Sequence, residues 1–281
     1  MDYLELTISI MPRNPWAEIL TAELADLGFE SFVDTEDGIQ AYGLLKNIEL
    51  DTVVKNSILS YENEGVHFEF TQKVIPHQNW NAVWESDFHP VEVEEYLTII
   101  APFHSKENLK GMIVEIQPQM SFGTGHHQTT WLMSKALFEL DRMPESVLDM
   151  GTGTGVLAII AEKLGAKALV GIDIEDWTVI NARENIERNA CKSIEIMCGD
   201  VDLIEGRKFG LIIANINKNV LKSHIESYSR ALEFGGILLL SGFFDSDVDE
   251  LITFSNAHNL KMNKIYSKES WAGIQLIKEE N

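Results

Sequence analysis

The sequence predicts an α/β chain in two parts: a doubly wound, mostly parallel sheet, and ahead of it a small α+β unit. Three observations carry this. From Val147 onward, short apolar runs of buried-strand type alternate with stripes at helical spacing. A glycine turn, Gly151, Gly153 and Gly155, joins the first of these runs to its helix. The first 75 residues follow a different order: strand, helix, strand, strand, helix, strand.

In that first part, Leu4, Leu6, Ile8 and Ile10 alternate with polar residues, as in a half-buried strand. Pro15 suits a first helical turn with Asn14 as its cap. Trp16, Ile19, Leu20, Leu24 and Leu27 follow at helical spacing up to Gly28. Phe29–Val33 and Ile39–Leu45 read as a hairpin through Asp37-Gly38. Leu50, Val53, Val54, Ile58 and Tyr61 form a second helical stripe, and Val66, Phe68 and Phe70 a last strand. The order is ferredoxin-like, a helix pair over a four-stranded sheet. Residues 1–75 are therefore expected to form one domain, 76–95 a linker helix, and 96–281 the second domain. Trp80 and Trp84 share one face of the linker helix, which Pro90 ends, and packing explains such a pair. His77 and His89 are read as bystanders.

Tyr96–Ala101 and Met112–Ile116 read as strands opening the second domain. The stretch from Met120 to Thr130 is a glycine loop leading to a helix over Trp131–Leu140. Thr129 and Thr130 stand at that helix start, where a hydroxyl either caps the helix or reaches a ligand. His126 and His127 lack partners at metal-ligand spacing, so a metal is rejected, while a general base stays open. Strands then follow at Val147–Met150, Ala168–Ile172, Ile194–Cys198, Leu211–Ala214 and Ile237–Leu240, with helices at Trp177–Asn189 and Val220–Leu232. Asp245 starts a further helix, and Lys261–Ser267 with Ala272–Ile277 closes the sheet as a hairpin.

The stretch from Val147 to Asp173 is a nucleotide-binding layout: strand, glycine turn, helix, strand, acid. Free N–H groups at the helix start meet an anion, and the acid accepts from ribose hydroxyls. The third glycine falls one residue earlier than a dinucleotide fingerprint requires, and Asp149 precedes the first by two. That Asp-x-Gly-x-Gly-x-Gly form resembles the class I methyltransferases, whose S-adenosylmethionine has an amino-acid tail and no phosphate. An acid beside the loop suits its ammonium group. Asp149, Asp173, Asp200 and Asn215 are all placed at carboxyl ends of strands, where such sheets bind ligands.

Composition narrows the partners. The chain has 281 residues, 45% hydrophobic and 23% charged, enough for a sizeable core. Its formal net charge is −22, and the first 75 residues hold 14 acidic residues against 4 basic ones. Phosphate backbones are repelled by such a chain, and no Lys/Arg cluster offsets this, so no direct nucleic-acid contact is expected. A basic protein is the natural counterpart. No signal peptide or apolar membrane span is read, and two cysteines make no disulfide framework, so the cytoplasm is expected.

Trp80–Pro90, Phe122–Thr130, Asp149–Gly155, Gly171–Asp173, Ala214–Ile216 and Ser241-Gly242 together resemble one family closely, the bacterial methyltransferases of ribosomal protein L11 (PrmA). The resemblance runs from Trp80 to the end, while the first 75 residues match in architecture alone. It implies a class I methyltransferase sheet, an N-terminal domain that grips the ribosomal protein, and a linker that lets the catalytic domain reach several amines. It implies S-adenosylmethionine contacts at Thr130, Gly151, Asp173 and Asn215, and methylation of lysine side chains and the N-terminal amine. Asn215 is also the expected catalytic residue, accepting from the incoming amine, against the plain alternative of a strand-end turn. Family members usually continue Asn-Ile with Leu-Ala, whereas Asn217 and Lys218 follow here, and Lys218 is expected to face solvent. Other readings are a class I methyltransferase acting on another basic protein, RNA or a small molecule, a non-catalytic binding protein, and a nicotinamide oxidoreductase, which the glycine spacing opposes.

Overall fold

The computed structural model describes residues 2–49, 65–76, 80–119 and 121–280. The chain divides into two compact units, residues 1–87 and 88–281.

In the first unit, β1 (Tyr3–Met11), α1 (Trp16–Asp26), β2 (Phe29–Asp34), β3 (Gly38–Leu44) and β4 (His67–Ile75) follow the expected order. The sheet runs β2-β3-β1-β4 with every neighbouring pair antiparallel. The two-residue repeat of β1 puts Leu4, Leu6, Ile8 and Ile10 on one face, against Ala17, Leu20 and Leu24 of α1. Asn14 does not cap α1. Pro15 takes the cap position, and the Arg13 carbonyl accepts from Ala17 N–H at 2.8 Å, which satisfies the first turn from the backbone. The stripe from Leu50 to Tyr61, His77 and Met120 lie outside the described residues.

A helix, α2 (Trp80–Asp87), lies within the stretch expected as a linker. A short strand, β5 (Val91–Val93), pairs with β6 (Leu97–Ile100), and β6 pairs in parallel with β7 (Met112–Glu115). Val93 is fully buried in the second unit's core, so the chain from Phe88 belongs there.

The main sheet of that unit contains β8 (Ser146–Met150), β9 (Ala168–Asp173), β10 (Ile194–Cys198), β11 (Phe209–Asn215), β12 (Leu232–Phe244), β13 (Leu260–Lys268) and β14 (Trp271–Lys278). Its order is β10-β9-β8-β11-β12-β14-β13. The first five strands are parallel, and β14 runs antiparallel to both β12 and β13. Between the strands come α3 (Gln128–Phe138), α4 (Val156–Lys163), α5 (Asp176–Arg188), α6 (Lys218–Ala231) and α7 (Val248–Asn256). Both faces of the sheet are covered, which is why its central strands are apolar without interruption. Leu211, Ile213 and Leu239 point into a core shared with Leu132, Ile160 and Val179 of α3, α4 and α5. Their neighbours Ile212, Ala214 and Leu240 point the other way, toward Leu221, Ile225 and Leu251 of α6 and α7. Gly235 and Gly236 lie inside β12, where the register against β11 shifts. On the outer strand β13, Lys261 pairs with Glu279, Lys264 with Glu139, and Lys268 lies over the Trp131 ring.

Leu239 has no exposed surface. Leu239→Ala is expected to destabilise the second unit by about 2–5 kcal/mol through the cavity it leaves. A lower urea midpoint for this unit would be the measured sign, and an unchanged midpoint would contradict the packing described.

Candidate functional site

The crossovers from β8 lead through β9 to β10 on one side, and the chain then returns to place β11 on the other. A crevice therefore opens beyond the carboxyl ends of β8 and β11, the position where open α/β sheets take their ligands. A cleft of about 380 Å³ lies there. Its walls include Gly151 and Gly153 of the turn, Asp173 and Ile174 at the end of β9, Asp200 after β10, and Asn215 with Ile216 at the end of β11.

The turn is built for close approach. Gly151 and Gly153 have φ of +71° and +56°, and a Cβ on them would lie 2.2 Å from Ile216 Cγ2 and 2.3 Å from the Phe122 carbonyl oxygen. Both conditions exclude a side chain. Asp173 fastens the turn to the next strand, its Oδ2 accepting from Gly153 N–H at 3.0 Å. Its Oδ1 accepts from Glu175 N–H at 3.3 Å. A carboxylate has about four acceptor sites, so capacity remains for a ligand.

Asp149 stands beneath the turn, 2% exposed, with Oδ2 accepting from the Thr152 hydroxyl at 2.7 Å. Burial pushes its carboxyl up to about 6, opposed by hydrogen bonds from Thr152 and the Ala158 backbone and reinforced by the charge on Asp173. Buried side-chain oxygens without a partner among the described residues include Asp149 Oδ1, Asn215 Oδ1, Thr130 Oγ1 and Ser121 Oγ. Such atoms are costly to leave unpaired.

The glycine loop ahead of α3 closes over the turn. Phe122 O accepts from Thr154 N–H at 2.9 Å, and Gly123 O from the Thr154 hydroxyl at 2.7 Å. The helix begins at Gln128, three residues before the expected Trp131, because His127 is its cap, with Nδ1 accepting from Thr129 N–H. Neither threonine caps the helix. Burial lowers the His127 pKa, in keeping with an unprotonated Nδ1. His126 Nε2 bonds the His89 carbonyl at 2.9 Å, and neither histidine lines the cleft. Thr130 is fully buried beside the loop and is not part of the cleft wall.

Asn217 is the cap of α6, its Oδ1 accepting from Val220 N–H at 3.2 Å. Lys218 does not simply face solvent. Its ammonium is held by Asp247 at 2.7 Å and Glu250 at 3.0 Å, and these hydrogen bonds raise its pKa. It lies off the cleft wall. Ile174, Trp177 and His224 line the cleft although no motif singles them out. Ile174 follows the acid at a strand end. His224 sits four residues after Val220 on α6, with Nε2 3.5 Å from Asp200 Oδ1.

Comparison with known proteins places this geometry. The family model described as ribosomal protein L11 methyltransferase (PrmA) matches residues 20–279. The chain belongs to the ribosomal protein L11 methyltransferase family. A relative of that name from Porphyromonas gingivalis is 38% identical over 92% of this chain and 89% of its own length. Another from Phocaeicola vulgatus is 36% identical over 99% of each chain. A solved ribosomal protein L11 methylase from Lactobacillus delbrueckii subsp. bulgaricus superposes with a TM-score of 0.63 at 26% identity, covering 69% of this chain and 100% of its own. The seven-stranded sheet with its antiparallel β14 is thus a class I methyltransferase sheet.

Between about pH 4 and pH 6 the folded chain keeps a proton on Asp149 that the unfolded chain has released. Stability therefore falls as pH rises through that window, by up to about 3 kcal/mol, and the loss is constant above it. Asp149→Asn is expected to gain on the parent across that window and to run parallel to it above pH 6. Melting temperatures taken from pH 4 to pH 7 test this, and a constant difference would show that Asp149 ionises normally.

Proposed function

We propose that this chain transfers methyl groups from S-adenosylmethionine to amines of ribosomal protein L11, both lysine side chains and the N-terminal amine. The observation that carries the reading is the unpartnered Asn215 Oδ1, an acceptor at the wall of the cleft in a chain of this family. The residues present fit S-adenosylmethionine. Gly151 lines the cleft, Asp173 retains acceptor capacity for ribose hydroxyls, and Asp149 supplies negative charge for an ammonium group. Thr130 and Asn215, each with an unpaired buried side-chain oxygen, are assigned to the cofactor as well. When bound, the cofactor supplies an electrophilic methyl on a sulfonium and its own leaving group.

The acceptor must be a neutral amine, and freeing a lysine of its proton near pH 7 costs roughly 4–5 kcal/mol. Proton loss to water before binding meets that cost, and a cleft that excludes water lowers it. Asn215, through its side-chain oxygen, accepts from an amine N–H and so orients the nitrogen lone pair. Positioning then carries most of the acceleration. The N-terminal unit is assigned to gripping the acceptor, and the net charge of −22 favours encounter with a basic protein over nucleic acid. The reading places the enzyme in the cytoplasm with its ribosomal substrate.

Incubation with ribosomal protein L11 and methyl-labelled cofactor should label the protein, and an unlabelled acceptor would refute the substrate. Asn215→Ala is expected to lower kcat on the order of 100-fold. Full turnover with unchanged cofactor affinity would remove Asn215 from the chemistry. Asp173→Ala should weaken S-adenosylmethionine binding by roughly 10- to 100-fold in calorimetry, the range for hydrogen bonds to a charged group. Equal affinity would show that the ribose contact lies elsewhere.

A further inference from the structure

A row of aromatic rings leaves the cleft along its β12 side. Phe122, on the cleft wall, lies 5.2 Å from the His127 ring. His127 lies 4.6 Å from Trp271, edge to face. Trp271 lies 4.4 Å from Phe244. Three separate parts of the chain supply these rings: the glycine loop with its helix cap, the first residue of β14, and the last residue of β12. Phe122 is 51% exposed and Phe244 46% exposed. Large apolar rings left open at the mouth of a cleft mark a binding surface more often than a packing defect.

The position of the row says what it can meet. Asn215 pairs across the sheet with Ser241, and Phe244 lies three residues further along β12, opposite Trp271. At about 3.3 Å per residue, the outer rings stand roughly 10 Å beyond the level of Asn215. An amine oriented by Asn215 does not reach them, but the next side chains of an extended acceptor segment do.

Charge decides between an apolar and a basic neighbour. Asp245 follows Phe244, and Glu269 precedes Trp271 by two residues; both are exposed. Glu269 is held in place by the Gln128 side chain at 2.7 Å, and Asp245 N–H donates to Ser270 O at 2.9 Å. Asp245 and Glu269 thus flank the row in a chain of net charge −22, while Lys268, opposite Trp271 in the strand pairing, is turned onto the Trp131 ring. Ring faces attract cations, and a carboxylate edge adds to that attraction.

We propose that Trp271 and Phe244 form a subsite for a second cationic side chain of the acceptor, a lysine or arginine flanking the amine that reacts. This subsite rests on the methyltransferase reading above and adds to it a preference for amines within basic segments. It acts on acceptor binding. Neither Trp271 nor Phe244 lines the cleft.

Two measurements test it. With ribosomal protein L11 as acceptor, Trp271→Leu and Phe244→Leu should each raise the acceptor KM about tenfold, leaving kcat and cofactor Kd within twofold. Trp271→Phe, which keeps a ring face, should restore most of the loss. A purely structural role would instead lower the melting temperature and the cofactor affinity together. An unchanged KM in both leucine variants overturns the proposal. Independently of catalysis, tetralysine amide should shift the Trp271 indole N–H resonance, assigned by its absence in Trp271→Phe. Tetraglutamine amide should not, and Phe244→Leu should abolish the shift. Absence of any shift with tetralysine overturns the subsite. A shift in a chain that fails to methylate ribosomal protein L11 keeps the subsite and removes the substrate assignment.

Discussion

The hydrogen bond from Gly153 N–H to Asp173 is the constraint on which the site depends. It joins the turn after β8 to the end of β9, and the positive φ at Gly151 and Gly153 is what allows the backbone to make that return. From this one fastening the rest takes its place. Gly151 comes under Ile216, which brings the end of β11 to the turn, and Phe122 O reaches Thr154, which brings down the loop ahead of α3. The Asp173 carboxylate acts as a strut, and it also lines the cleft. Its geometry is therefore set before any ligand arrives.

Beneath this constraint lies a trade between stability and readiness. Asp149 is buried where its charge is costly, and Asn215 keeps a buried oxygen without a partner. A protein selected for stability alone would replace both with apolar groups. The two-sided core compensates, with apolar side chains from alternate positions of β11 and β12 filling layers above and below the sheet.

Much of this was legible in the residues. Glycine spacing and the acid at the next strand end pointed to the cofactor class, and apolar runs located every strand of the large sheet. What escaped was set by contacts distant in sequence. Nothing near Val91 announces that this segment pairs with β6, so the second unit begins earlier than composition suggests. The start of α3 depends on a histidine ring acting as a cap, a role usually left to Ser, Thr, Asp or Asn. Lys218 looked free because its partners, Asp247 and Glu250, stand about thirty residues further on. Ile174, Trp177 and His224 carry no motif and belong to the cleft only because strand ends and helix starts converge there.

The outer strand of the large sheet has a consequence for the protein in a crowded cell. An open strand edge is a template on which another chain can add, and long apolar edges polymerise in this way. Lys261, Lys264 and Lys268 set positive charge at intervals along β13, each engaged by a carboxylate or a ring of its own molecule. A second copy approaching edge to edge would have to strip those partners and bring like charges together. The sheet thus ends in a border that resists filament growth.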